Sequence, residues 1–442
     1  MATSILNPEQ RLQLEALLRE NLTESQQRRA RLLLLLDDGV PTRQAAQAVG
    51  ISPGRARHWR SKFQHLGMKI FPRGEHGTSV TAEAEVLEKV ESPLEPDSAL
   101  TATQSLPDTE ASWQTLDEFL TAAADLKTPG VEPDDILPEA GRKVLRYHFA
   151  QMLLHEAGTR LGKDIEELHD MRVATRRMRA AFEVFEDTFS PKAIKLLLKG
   201  LRNTGRKLGK VRDLDVFIEK AQHYMETLSE EKRLGLQPLL QSWDEQRHAA
   251  QLDLIAYLDD AKYARFKADF FAFVNTPGAG ARDASGAGFV PNRVRDIVPV
   301  LIYTRLAAVR AFDSILETAT LEQFHALRIE FKKLRYTVEF FREVLGKEAK
   351  AIIDDLKGIQ DHLGDLNDAQ VATRILDDFL VEWDQQQNNL PVSQRQSPEA
   401  ILNYMIYRYN ERQRLMQSFR DTWAHFNRPE FQQNLALAVA TL

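Results

Sequence analysis

Two stretches of this chain recur in the same order at nearly the same distance. LHDMRVATRRMRAAFEVF at 168–185 matches FHALRIEFKKLRYTVEFF at 324–341, an offset of 156, and LRNTGRKLGKVRDLDV at 201–216 matches LKGIQDHLGDLNDAQV at 356–371, an offset of 155. Two ordered matches at almost constant spacing imply an internal duplication, so most of the chain beyond residue 134 is expected to be two similar units. Within the first match Met171, Ala174, Met178, Ala181, Phe182 and Phe185 fall on one side of a helix and on no single face of a strand. A glycine-rich break at 275–288 parts the copies. The fold expected is all-α: an internally duplicated pair of four-helix bundles with a pseudo-two-fold axis, the repeats covering about 134–274 and 289–442.

The length of 442 residues leaves room for further domains. The absence of cysteine excludes disulfides, thiolate metal sites and cysteine nucleophiles, and agrees with a reducing compartment. No basic start followed by an apolar core opens the chain, and no apolar run reaches the roughly 18 residues of a membrane span, so a cytoplasmic protein without membrane contact is expected. The net charge of −6 conceals segregation: residues 75–139 carry −14, residues 1–74 carry +6, and 142–216 carry +7. Residues 72–133, rich in Glu, Pro, Ser and Thr, read as an acidic flexible linker, with a possible short helix from Trp113 to Leu126. That linker is either a solvated spacer or a segment that competes for the basic faces beside it.

Residues 1–71 read as a small helix-turn-helix-like domain. Asn7-Pro8-Glu9-Gln10 combines an N-cap, a first-turn proline and a capping-box glutamine, predicting a helix to about Glu20. A second helix should stop at Asp37-Asp38-Gly39. Thr42 to Val49, a turn at Gly50 and a helix begun by Ser52-Pro53 follow. The last helix carries Arg55, Arg57, His58, Arg60 and Lys62 where a recognition helix would meet the major groove. A small helical domain used for protein contact is the alternative.

The chemistry concentrates in the repeats. His169, Arg172, Arg176 and Arg179 lie at relative positions 0, 3, 7 and 10, within about 80° on a helix, opposite the apolar side. His325, Arg328, Lys332 and Arg335 reproduce that spacing, with Arg177 and Lys333 equivalent just off the stripe. Stacked cations repel one another and add nothing to a core, so folding alone does not explain them in both copies. A ligand of repeating negative charge would relieve the repulsion, since Arg grips phosphate oxygens bidentately, Lys acts as a point charge and His adds a titratable donor. Arg142, Lys143 and Arg146 on the opening helix, Arg202, Arg206, Lys207 and Lys210 in the first copy, and Arg305, Arg310 and Lys357 in the second are supplementary candidates. The bland alternative is a solvated face whose long side chains cover apolar surface. His148 and His155 read as ordinary helix residues. Gly209 before Asp213, and Gly364 before Asp368, suggest a helix end followed by an N-cap aspartate, with a metal-binding carboxylate as the other possibility.

His169-Asp-Met-Arg172-Val-Ala-Thr-Arg176-Arg177-Met-Arg179 together with Leu208-Gly209-Lys-Val-Arg212-Asp213-Leu-Asp215 resembles the hallmark of the CHAD family, the helical domain named for its histidines, over about Val131 to Leu442. The resemblance implies a pseudo-symmetric pair of four-helix bundles around a basic channel that binds inorganic polyphosphate, and association with polyphosphate granules. The second copy departs from it, since Asp361 and Asn367 stand at the positions of Arg206 and Arg212. The Glu-x-Glu-x-Lys strand of the CYTH triphosphatases that often accompany this family is missing, as are a Walker loop, zinc-spaced histidines and a nucleophile elbow. No catalytic residue, cofactor or metal is therefore expected. A DNA-binding regulator whose basic helices track a nucleic-acid backbone is the competing reading. Few aromatic residues stand near the stripes to stack bases. A scaffold without anion binding is a third reading, favoured if Glu166, Asp170 or Glu330 neutralises the stripes.

Overall fold

The computed structural model describes residues 6–18, 24–50, 56, 59, 60, 63, 68, 115–124, 126–282 and 292–442. The chain divides into two compact units, Met1–Asp108 and Thr109–Leu442. Among the described residues every extended element is helical, apart from isolated bridges such as Ile136 with Arg293.

In the first unit α1 (Pro8–Leu17) begins with the expected capping box, Asn7 and Gln10 each satisfying the other's backbone N–H. The helix α2 (Glu24–Asp37) ends before Gly39, whose φ of 79° is a left-handed conformation suited to glycine. A short helix α3 (Thr42–Ala48) follows and stops at Gly50, φ 71°. Leu14, Leu33, Leu36, Ala45, Ala46, Ala56, Trp59 and Phe63 share one core, with Arg29 lying 4.3 Å over the Trp59 ring. Ala56, Trp59 and Phe63 thus supply the inward face of the segment expected to follow the turn. Ser52 and Pro53 lie outside the described residues.

The second unit starts with α4 (Leu116–Ala124), inside the stretch read from composition as linker. It is not a free spacer here: Phe119 and Ala123 are buried in the main core, with Phe119 6.0 Å from Phe149. The short helix expected between Trp113 and Leu126 thus forms over Leu116–Ala124, with Phe119 and Ala123 as its buried anchors. Next come α5 (Leu137–Leu154), α6 (Glu156–Leu161) and α7 (Ile165–Val184). They are followed by α8 (Pro191–Glu226), α9 (Glu230–Leu234), α10 (Gln237–Leu258) and α11 (Ala261–Asn275). Beyond the glycine-rich segment run α12 (Val294–Arg310), α13 (Leu321–Phe340), α14 (Ala349–Asn388), α15 (Glu399–Phe426) and α16 (Pro429–Val439).

Packing follows that order. Helix α7 lies between α5 and α8, α10 pairs with α8, and α11 crosses α5 and α8; likewise α13 lies between α12 and α14, α15 pairs with α14, and α16 packs on α14. The halves meet through α7 against α13 and α5 against α12. At that seam the rings of Phe185 and Phe341, 156 residues apart, pack edge to face at 5.4 Å. The 20 residues of α7 and of α13 span about 30 Å, whereas α8 has 36 residues and α14 has 40, or about 54 and 60 Å. The long helices therefore overshoot the main core. Their far ends build a second apolar cluster, Phe217, Tyr224, Leu239 and Trp243 with Leu376, Ile401 and Tyr404. No described helix is long and apolar enough to cross a membrane.

Candidate polyanion-binding faces

The apolar side of α7 is buried as the spacing requires, Met171, Met178, Ala181 and Phe182 each being 3% exposed or less. That burial fixes the rotation of the helix and turns Arg172, Arg176 and Arg179 away from the core, Arg172 and Arg179 toward α8. Beneath them α8 presents glycines: a Cβ at Gly205 would lie 3.9 Å from Nη1 of Arg179, and one at Gly209 would lie 3.8 Å from Nε of Arg172. The guanidinium groups thus lie along the neighbouring helix instead of standing clear of it.

Gly209 and Gly364 do not end helices, contrary to the sequence expectation, because α8 and α14 run unbroken through both positions. Packing on both sides outweighs the cost of one glycine in a long helix. Asp213 and Asp368 are consequently not caps. Asp213 accepts from Nη2 of Arg172 at 3.2 Å, and Asp368 lies close enough to both to act on their charges. Burial lowers the Arg172 guanidinium from its ordinary value while Asp213 raises it, and the repulsion of Arg176 and Arg212 lowers it further. Burial also pushes the Asp213 carboxyl up, against the attraction of Arg172 and with the repulsion of Asp368. A polar layer therefore separates the two apolar clusters. Lys220 of α8 closes it, reaching Asp365 at 3.1 Å and Asp368 at 3.8 Å on α14. His325 donates through Nδ1 to Oδ1 of Asn367 at 3.4 Å, if that nitrogen carries the proton.

The candidate cations divide into two groups. Arg176, Arg179, Arg202, Arg206, Lys210, Arg310, Arg328, Lys332 and Lys357 make no ion pair among the described residues. The others are engaged. Arg177 and Arg335 both hold Glu339, at 3.2 and 3.1 Å. Lys207 holds Asp253 at 2.6 Å, Lys333 holds Glu330 at 2.7 Å, and Arg305 lies 3.8 Å from Glu186. Arg142 departs most from expectation: it is 2% exposed, paired with Glu139 and donating to the carbonyl of Val274, because its place on α5 faces the interior. Arg146 is also buried. Neither stands on an open face. Glu330 neutralises only Lys333, which lies off the stripe. His169 is half-buried near the start of α7. His155 contacts Glu167 at 2.8 Å, and His148 is buried against Phe340, with desolvation and then Arg177 driving its pKa well below the usual value. Both are ordinary packed residues, as expected.

Sequence reasoning stopped at Arg202 and missed the beginning of α8. Lys192, Lys195 and Lys199 are exposed and continue the line of Arg202, Arg206 and Lys210, making a ridge about 27 Å long. Their steps of three and four residues were a legible signal. Where that ridge meets α7, Arg179, Lys195, Arg202 and Arg282 line a cleft of about 450 Å³ together with Glu183, Glu186 and Asp187. In the first unit Arg60 is half-buried, while Arg55, Arg57, His58 and Lys62 lie outside the described residues. No group of three or more metal-ligating side chains occurs among the described residues.

Comparison with known proteins gives two family matches. The CHAD domain family matches residues 143–377, more than half of the chain, and a homeodomain-like domain family matches residues 23–68. No curated protein matches the chain. Among solved structures it is similar to a CHAD domain from the plant Ricinus communis, at 23% identity and a TM-score of 0.49, covering 71% of this chain and 94% of that one. It is also similar to PptA from Streptomyces chartreusis, at 14% identity and a TM-score of 0.49, covering 66% of this chain and 100% of that one. With a homeodomain-like segment ahead of its helical unit, this chain belongs to the CHAD domain family.

Proposed function

We propose that the second unit binds inorganic polyphosphate along the facing cationic surfaces of α7, α8 and α13, as a binding module and not as an enzyme. The observation that carries this reading is the set of outward cations that form no ion pair among the described residues, Arg176, Arg179, Arg202, Arg206 and Lys210 in one half and Arg328, Lys332 and Lys357 in the other. Unpaired like charges held side by side by a packed scaffold are costly unless a polyanion supplies the countercharge. A flexible phosphate chain can follow a ridge of this length; a compact anion meets only two or three of its donors. Membership of the CHAD domain family supports the same ligand, and association with polyphosphate granules would follow from it.

The proposal includes an internal duplication, with copies at about 134–274 and 289–442, preceded by 1–71 and the acidic stretch 72–133. It is supported by the repeated helix order and by two equivalent pairs that approach one another, Phe185 with Phe341 and Asp213 with Asp368. A second reading has support of its own. The homeodomain-like match at 23–68 favours DNA binding by the first unit, through Arg55, Arg57, His58, Arg60 and Lys62.

Calorimetric titration of the full chain with long-chain polyphosphate, orthophosphate and random duplex DNA at two salt concentrations tests the assignment. Tight, salt-sensitive binding of the long chain with little response to orthophosphate is expected. DNA binding equal to or tighter than that of polyphosphate, and competed by it, would make the second unit a nucleic-acid surface instead.

A further inference from the structure

Helix α12 buries Val294, Val298, Ile302, Leu306 and Val309. Its opposite side carries Asp296, Val300, Tyr303, Ala307 and Arg310, spaced four, three, four and three residues apart, the alternation of a helix-pairing seam. Val300 is 62% exposed and Tyr303 44%, large apolar residues in solvent near the middle of a helix. The same residue types 156 positions earlier have a different fate: Val144 is fully buried, and Tyr147 donates its hydroxyl to the carbonyl of Lys127 in the chain that precedes α5. That preceding chain packs on α5, through α4 as well as Lys127. Nothing described covers α12.

We propose that this seam pairs with the same seam of a second copy of the chain, α12 antiparallel to α12, with Tyr303 at the two-fold axis. The charges select that occupant. Asp296 and Arg310 lie seven residues to either side of Tyr303, so an antiparallel pair sets the aspartate of each copy against the arginine of the other, twice. Neither has an ion pair among the described residues, and the buried Nε of Arg310 has no hydrogen-bond partner among them. A parallel pair would oppose like charges. Asp296 to Arg310 spans about 21 Å, so the contact is a single helix pair at the small end of interface sizes, and its dimer is weak and concentration-dependent.

Sedimentation equilibrium of the full chain from micromolar to a few hundred micromolar, without any polyanion, tests the pairing separately from ligand binding. The expected result is a monomer–dimer equilibrium that Val300→Asp abolishes and that Asp296→Lys or Arg310→Glu each weakens at least tenfold. The double exchange Asp296→Arg with Arg310→Asp restores it. Circular dichroism of each variant separates loss of pairing from loss of folding. A chain monomeric at every concentration overturns the proposal, as does a dimer indifferent to these substitutions. Weakening by both single variants without rescue by the double exchange removes the Asp296 to Arg310 pairing and with it the antiparallel seam.

Discussion

On α8 the outward positions 202, 206 and 210 carry Arg, Arg and Lys, whereas 155 residues later α14 carries Lys357, Asp361 and Asp365. Both helices pack in the same order against their neighbours, so the scaffold tolerates either charge at these positions. Their partners differ. The α8 cations face solvent alone, while Asp365 receives Lys220 from the other half and Asp361 lies in the field of Lys357 and Arg335, its carboxyl pushed up mainly by burial. Where α8 carries its cationic ridge, α14 carries carboxylates that clamp it to the other half. What remains for a polyanion there is the stripe on α13.

Among single substitutions, reversing that difference should have the largest effect. Arg206→Asp, which copies the second half, is expected to weaken polyphosphate binding ten- to a hundredfold, about 1.4 to 2.8 kcal/mol, and Asp361→Arg to strengthen it by a smaller factor. Titration of both variants beside the wild type measures the asymmetry; equal effects would mean that the halves bind alike. The glycines offer a structural counterpart. A Cβ at Gly200 of α8 would run into the Phe266 ring, whereas Gly364 of α14 has open space around it. Gly200→Ala should therefore destabilise the protein by about 1–3 kcal/mol through overpacking, and Gly364→Ala should stabilise it by about 0.5–1 kcal/mol, as read from denaturant midpoints.

The carboxylates of the polar layer give a subtler test. The Asp213 carboxyl is pushed up by burial, so the folded state holds its proton to higher pH than the unfolded chain does. Stability from this group is present at low pH and is lost as pH rises from the ordinary carboxylate range through the raised value. Asp213→Asn should flatten that part of the stability profile. It should also reduce the gain in polyphosphate affinity as pH falls through the raised value, because protonation removes a negative charge beside Arg172. A variant whose profile superimposes on the wild type would remove Asp213 from the electrostatics of the site.

Much of the fold was legible because apolar spacing and capping are local. Met171, Met178 and Phe182 fixed the inward face of α7, and Asn7 with Gln10 formed the capping box expected from four residues. Errors arose where tertiary packing overrode a local signal. Gly209 and Gly364 read as helix stops, yet neighbours on both sides carry α8 and α14 through them. Arg142 read as a ligand cation, yet its rotation on a helix buried nearly all round points it at Glu139 and the Val274 carbonyl. The short helix around Phe119 was readable inside the acidic stretch, but its packing on the main core was not, since charge averages say nothing of two anchors spaced one turn apart. The stripes themselves were readable by spacing. Which of their members are already paired was legible only in part: Glu339 stands four residues from Arg335 on α13, but it also meets Arg177 from α7, and Asp253 of α10 reaches Lys207 of α8.

The central claim is that the cations of α7 and α13 hold polyphosphate, and the double reversal Arg172→Glu with Arg328→Glu addresses it most directly. Both residues are half-buried at the edges of packed helices and neither belongs to an apolar core. Calorimetric titration of this variant with long-chain polyphosphate, beside a helical circular dichroism spectrum matching the wild type, is expected to show affinity lowered at least a hundredfold. Undiminished affinity in a fully helical variant would contradict the account and place the ligand elsewhere.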